Sequence, residues 1–581
     1  MQPFVTPLQQ LKIFSFFEGE SMSQSVRQSV HRLLSIINNF AIIGLCFVAV
    51  SCNDAKVRPP KTETPVGPKG DTKEPVIDTS LEMWHLKAPA TGFEGISLTQ
   101  LPDAKSDTEV IVAVIDSGVD INHVALKNKI WINSKEVPAN GVDDDNNGYI
   151  DDINGWNFMG NPDGNNINFD TLEVTREALR YDKKLAAGES MTYAEIKYFE
   201  GVKKDYEALL VEAKKDFEYM DKDYLAAKDA EQLLRGHLGW VDFTAAGLES
   251  ITSVDTKILD AKKLLITLVN EFGALTSYYE YRDYYKDALA YNYNKDFDPR
   301  ATIVKNDDTD FSEFNYGNNN VIGADPGHGT HVAGIIAAEA SANYKTRGIS
   351  QNAKIMVLRT VPNGDERDKD IVASVRYAVN NGARIINMSF GKNYSPFKSE
   401  VDKAFLWAEE KGVLIIHAAG NNGRNVDSYK FFPNRILSNN LVLNRHPEIQ
   451  GWLEIGASAA INGLPLLAKF SNYGIKSVDL FSPGVKILST MPNQEYAMLS
   501  GTSMASPVAA GAASVIMNRY PNINAQQTRK IMMDQVRTNY DRIRLPGAEK
   551  FDLPVFLKEI SIAGGILDLE KSVLLIEQLS K

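Results

Sequence analysis

Short runs dominated by apolar, often β-branched residues recur at 110–115 (VIVAVI), 355–358 (IMVL), 385–388 (IINM), 413–416 (VLII) and 452–455 (WLEI). A strand with one wet face alternates apolar and polar residues, whereas one covered on both faces does not. These runs therefore predict buried strands. Stretches with helical spacing lie between them, over 331–340, 370–381, 398–411 and 504–519. Strands alternating with helices predict an α/β fold, a parallel sheet with helices on both faces. A site in such a fold sits beyond the carboxyl ends of the strands.

Residues 171–290 break this rhythm. They carry no strand signal and contain two apolar ladders. The first is Tyr206, Leu210, Ala213, Phe217, Met220, Tyr224 and Ala227; the second is Val254, Ile258, Ala261, Leu265, Leu268, Phe272, Leu275 and Tyr279. Steps of four and three residues put each ladder on one helical seam. A turn-like stretch around 236–247 separates them. The pattern predicts an inserted antiparallel α-helical hairpin with arms of roughly 30 residues, about 45 Å long. Charges of both signs fit a solvated hairpin, with gating or docking as the alternative use.

Before residue 84 the chain changes character. Arg27 and Arg32 precede a mostly apolar run, 33–51, that ends Ala49-Val50-Ser51-Cys52. Charge followed by an apolar run is the pattern of a signal segment, and small residues before a cysteine resemble a bacterial lipobox. Acylation of Cys52 would anchor an exported protein at a membrane of the bacterial cell envelope. A plain signal peptide with a secreted product, or a single membrane anchor, is the alternative. Residues 1–21 carry Glu18 and Glu20, unlike a charged leader, and Met22 offers another start. Residues 53–83 read as a linker, rich in Pro, Lys, Asp, Glu and Thr over 53–78.

A net charge of -12 argues against nucleic acid or an anionic membrane surface as the main partner. Cys46 and Cys52 are the two cysteines of the sequence, so no disulfide can form after residue 52.

Candidate chemistry gathers where predicted strands end or helices begin. Asp116 follows the run 110–115, His328 opens a helical stretch in GHGTHVAG (327–334), and Ser503 precedes a helix in GTSMASP (501–507). The helix dipole opposes negative charge developing on such a serine. Pro507 is expected in the first helical turn, where it removes no needed donor. Each residue alone is ordinary: a turn, a helix start, an N-cap.

In the order Asp, His, Ser the three motifs resemble the subtilase (subtilisin) family of serine peptidases. The resemblance covers about 84–170 and 291–575 and implies a subtilisin-like fold acting on protein or peptide substrates. It implies that Asp116 orients an imidazole, that His328 serves as base and then acid, and that Ser503 attacks to form an acyl-enzyme. His417-Ala-Ala-Gly-Asn421 resembles the family's oxyanion segment, with Asn421 as amide donor. His328 and Asn421 together separate the chain from the sedolisins, which use Glu as base and Asp at the oxyanion site. Asn387-Met-Ser-Phe-Gly391 resembles the strand that pairs with a bound peptide. That makes Ser389, Phe390 and Gly391, with Ala419 and Gly420, the implied substrate-binding set. Phe431-Phe432-Pro433 resembles the base of the first specificity pocket. Phe431 falls where large-pocket members have a small residue, implying a preference for small side chains. His331 is implied to be structural. Val124 replaces a customary Pro and Val508 a frequent His, and neither departure touches the reaction.

Residues 140–156 (NGVDDDNNGYIDDINGW) space oxygen ligands as in an EF-hand-like loop. Asp143, Asp145, Asn147, the Tyr149 carbonyl and Asp151 take positions 1, 3, 5, 7 and 9, and Gly148 permits the bend. Position 12 is Asn154 rather than Glu, and Asp152 is a candidate replacement. A structural calcium loop is expected, with a metal-free acidic turn cluster as the alternative.

The expected organisation is a signal or lipoprotein segment (1–52), a linker (53–83), a first part of the peptidase domain bearing the acidic loop (84–170), the hairpin insertion (171–290) and the rest of the domain (291–581). The rival to an enzyme is a catalytically silent subtilase that binds a partner through the insertion at the cell surface.

Overall fold

The computed structural model describes residues 82–101, 108–239, 241–438, 447–538, 540–548 and 552–579. The signal segment, Cys46, Cys52 and most of the linker lie outside them. Seven strands form one sheet: β1 (Val110–Asp116), β2 (Gly155–Asn157), β3 (Ala353–Arg359), β4 (Ile385–Met388), β5 (Leu414–Ala418), β6 (Trp452–Ser458) and β7 (Leu480–Pro483). Their spatial order is β2-β3-β1-β4-β5-β6-β7, and every pairing is parallel. An antiparallel ribbon, β8 (Ile487–Met491) with β9 (Glu495–Leu499), stands apart from the sheet.

Between β2 and β3 come α1 (Glu173–Ala186), α2 (Tyr193–Asp221), α3 (Tyr224–Leu238), α4 (Ala245–Ser250), α5 (Thr256–Phe272), α6 (Leu275–Asp287) and α7 (Gly327–Ala337). Later helices are α8 (Asp368–Asn380), α9 (Lys398–Glu410), α10 (Thr502–Arg519), α11 (Ala525–Asp534) and α12 (Leu569–Leu579). Val112 and Val114 of β1 join α7, α10 and α12 in one core. Ala113 and Ile115, pointing the other way, join α8 and α9 in the second. Successive side chains thus enter two different cores, which is why the strands read as unbroken apolar runs.

The insertion has an apolar cluster of its own, with Leu234, Leu248, Leu265, Leu268 and Tyr278 buried in it. The ladders face each other over part of their length, α2 packing on α6 and α3 on α5, while Tyr206 and Leu210 pack toward α1 and Val254 is exposed. Each ladder, however, runs over two helices rather than one. Lys222-Asp223 separates α2 from α3, Asp being a poor helix former, and Gly273 at φ +80° ends α5. Asn292 clamps the two ends of the insertion. Its amide donates to the carbonyls of Asp170 (2.9 Å) and Asn363 (3.1 Å), and its own carbonyl accepts from Leu172 N–H (3.0 Å). Among the described residues no helix is long and apolar enough to cross a membrane.

Candidate active site

β1, β4 and β5 are neighbours in the sheet, and their carboxyl ends deliver Asp116, Ser389 and the segment leading to Asn421 to one edge. Asp116 is the last residue of β1 and is buried. Its Oδ1 accepts from His328 Nδ1 (2.7 Å) and from Ser117 N–H (2.8 Å). His328 lies in the first turn of α7. That approach needs Gly329, because a Cβ there would sit 2.1 Å from the Gly118 carbonyl oxygen.

Ser503 is the second residue of α10. Its Oγ donates to the Ser389 carbonyl (3.0 Å), and Ser389 Oγ donates back to the Ser503 carbonyl (3.0 Å). The second bond corrects an expectation. Pro507 is the sixth residue of α10 rather than part of its first turn, so the N–H that the Ser503 carbonyl would ordinarily accept from is missing. Ser389 Oγ replaces it, held in turn by Asn387 Nδ2 (3.0 Å).

Asn421 Oδ1 accepts from Thr502 N–H (2.7 Å) and Thr502 Oγ1 (2.8 Å). A backbone N–H demands an acceptor, so the amide oxygen is the end facing Thr502 and the NH₂ is the end that can donate to a reacting oxygen. Thr502 carries no mark of this role in the sequence beyond its place before Ser503. The role depends on a contact across 81 residues.

Of the substrate-binding set, Ser389 and Phe390 are buried and Gly391 is half-buried. The Ala419 carbonyl accepts from Asn472 Nδ2 (2.7 Å), and the Gly420 carbonyl from Asn472 N–H (2.9 Å). A Cβ on Gly391 would lie 2.4 Å from Phe431 Cζ, and one on Gly420, at φ +94°, would lie 3.0 Å from the same atom. Phe431 thus stands between the two segments. His331 is fully buried, and its Nε2 faces the Ala497 carbonyl (3.1 Å). Burial drives its pKa down to about 3, so the ring is neutral.

The acidic loop is partly assembled as a ligand set. Carboxylate oxygens of Glu136, Asp143 and Asp145 all lie within 4.8 Å of one another, a spacing that fits one hard cation. Glu136 precedes the loop and was not expected. The other candidate residues of the loop make hydrogen bonds of their own. Asp151 accepts from Asn140 N–H (3.1 Å) and Gly141 N–H (3.0 Å). Asp152 accepts from Tyr377 OH (2.5 Å), Asn133 (2.8 Å) and Asn147 (3.0 Å), and burial pushes its pKa up to about 6. Asn147 Oδ1 accepts from Tyr149 N–H (2.8 Å), and the Tyr149 hydroxyl donates to the Phe314 carbonyl (3.1 Å).

Comparison with known proteins points to one family. The profile of the Subtilase family matches residues 107–547. The cell wall-associated protease of Bacillus subtilis (strain 168) is 35% identical over 225 residues, 39% of this chain and 23% of that protein. The thermophilic serine proteinase of Bacillus sp. (strain AK1) is 35% identical over 211 residues, 36% of this chain and 47% of that protein. Subtilisin DY of Bacillus licheniformis is 32% identical over 207 residues, 35% of this chain and 68% of that protein. The chain thus spans less than half the length of the first two relatives.

Proposed function

The chain belongs to the subtilase family, and from that premise we propose that it is a serine endopeptidase cutting protein or peptide substrates through an acyl-enzyme on Ser503. The 2.7 Å bond between His328 Nδ1 and Asp116 carries this reading, because it fixes the tautomer and makes Nε2 the atom that takes the Ser503 proton. Oγ then attacks the scissile carbonyl carbon, and its oxygen becomes an anion. The Asn421 NH₂, held by Thr502, donates to that anion; losing such a donor typically costs about 2.7–4 kcal/mol of transition-state stabilisation. His328 passes the proton to the leaving amine, and a water repeats the cycle to release the acyl group. The Ser503 to Ser389 bond of the resting structure breaks as Oγ turns to the substrate.

Ser389–Gly391 receives the substrate backbone as an added strand. Phe431, wedged between Gly391 and Gly420, narrows the first pocket to small side chains. Glu136, Asp143 and Asp145 would hold a calcium ion that braces the acidic loop without entering the reaction. Residues 1–52 act as a lipoprotein signal segment and 53–83 as the tether, placing an exported enzyme at the cell envelope through lipidated Cys52. One relative is named for association with the cell wall, in keeping with that site of action. The peptidase domain then comprises 84–170 and 291–581, with 171–290 inserted.

A fluorophosphonate probe tests the central claim. It should label the folded, calcium-loaded protein and fail to label Ser503→Ala. Absence of label on the unaltered protein would instead favour a binding protein that has kept the fold.

A further inference from the structure

Directly behind Ser389–Gly391 lies a polar pair in an aromatic setting. His417 of β5 and Glu454 of β6 are register partners in the sheet. His417 Nδ1 is 2.9 Å and 3.1 Å from the two Glu454 oxygens. Trp452 Nε1–H donates to Glu454 Oε2 (2.8 Å). On its other side His417 Nε2 is 2.8 Å from the Phe390 carbonyl oxygen. The ring is held among Phe390, Phe431 and Trp452, with centroids 6.5, 5.9 and 5.3 Å away.

A carbonyl oxygen can only accept, so Nε2 carries a hydrogen. A bare Nδ1 lone pair facing a carboxylate would be repelled, so a second proton is shared between His417 and Glu454. That sharing strengthens the donor at Nε2. The bond reaches the substrate strand through the geometry of one peptide unit. In a planar trans peptide the C=O and N–H point in opposite directions. Drawing the Phe390 oxygen toward β5 therefore turns the Gly391 N–H the other way, and polarises it. Among the described residues nothing accepts from that N–H. An extended peptide would supply the acceptor through one of its own carbonyls.

We propose that His417, braced by Glu454, is a positioning residue that aims the Gly391 N–H at the backbone of an extended peptide substrate. This rests on the reading of Ser389–Gly391 as the strand that receives substrate. A pair serving only to fill the core would lower activity toward every substrate alike. A positioning pair lowers it selectively, for substrates long enough to reach Gly391.

The test compares kcat/KM for an N-acyl tetrapeptide amide and a single-residue ester in the full chain. In His417→Ala the loss on the tetrapeptide should exceed the loss on the ester by about tenfold, the worth of one good hydrogen bond, and should appear mainly in KM. In His417→Gln, whose amide can still donate to the Phe390 carbonyl, most of that difference should be restored. Glu454→Gln keeps the shape of the pair and weakens the donor, so it covers the case in which the alanine variant does not fold. A smaller rise in tetrapeptide KM is expected there. Equal losses on both substrates, or an unchanged tetrapeptide KM in variants that fold, overturn the proposal. Failure of the unaltered protein to take the fluorophosphonate label would overturn the peptidase reading itself.

Discussion

A side chain at either Gly391 or Gly420 would crowd the Phe431 ring, so in the proposed first pocket these three residues would set the width together. Phe431 also lines a cavity of 570 Å³, along with Glu454, Arg435 and Tyr429. Removing the ring should open the space beside the two glycines toward that cavity. The unaltered enzyme should therefore prefer Ala or Gly at P1, and Phe431→Ala should raise kcat/KM for P1 Phe by at least about tenfold, the scale of a few methylenes in an apolar pocket. Peptide libraries differing only at P1 check this. Dominance of aromatic P1 residues in the unaltered enzyme would sink it. Ser503 shows how much of a residue's setting is local. Ser503 at a helix start, with Asp and His motifs in order, was legible in sequence. The exchange of hydrogen bonds with Ser389 was not, because the partners are 114 residues apart and β4 must be laid against α10 to meet.

The acidic loop and the insertion show what periodicity captures and what it omits. Spacing put Asp143 and Asp145 on one side of a tight turn, and the structure keeps them together. It could not bring in Glu136, whose Oε1 accepts from Asp144 N–H (2.9 Å) and Asp145 N–H (3.1 Å), because the reach of a long side chain from outside the loop has no sequence period. Calcium should raise the melting temperature of the unaltered protein, and Glu136→Gln or Asp145→Ala should abolish that shift. Asp151→Asn should lower the melting temperature yet keep the calcium response, since its carboxylate holds Asn140 and Gly141. Scanning calorimetry with calcium and with chelator separates these outcomes, and a full calcium response in Glu136→Gln would exclude it as a ligand. In the insertion the ladders meet only in part. Met220 and Ala227 of the first share a cluster with Ile258, Ala261, Leu265 and Leu268 of the second. Tyr206 and Leu210 pack instead with Val174 and Ala178 of α1, and Val254 is exposed. The breaks at 222–223 and Gly273 leave no mark on the apolar pattern, because an apolar seam continues across a kink.

Between the insertion and the sheet lies a buried cluster of charge. Lys392, fully buried one residue beyond Gly391, reaches Glu173 of α1 (2.8 Å), Asp368 of α8 (2.8 Å) and the Glu366 carbonyl (2.7 Å). The root of the insertion is thus tied to the segment Ser389–Gly391. In the same cluster burial pushes the Glu366 carboxyl up to about 8 from an ordinary 4.5, against the attraction of Lys392. Between those values the folded protein holds a proton that the unfolded chain releases. Its contribution to stability is therefore present at low pH and lost as pH rises from about 4.5 to 8, with no further change above. Denaturant unfolding at pH 5 and pH 8.5 should show this decline, and Glu366→Gln should flatten it. A decline of the same size in the variant would assign the effect to another group.

Sequence alone determined the sheet, its flanking helices and the motifs that hold the candidate residues Asp116, His328 and Ser503. These follow from patterns within one element or from short motifs in a fixed order. Apolar runs become buried strands wherever both faces are covered, and a motif keeps its residue types wherever it lands. Tertiary structure decided everything that depends on one element meeting another. Thr502 orienting Asn421, Ser389 serving the carbonyl left by Pro507, Glu136 joining the acidic loop and His417 reaching Phe390 are all contacts of this kind. Hydrogen bonds and steric exclusion act over a few ångströms, and only the packed fold brings side chains from distant parts of the chain that close.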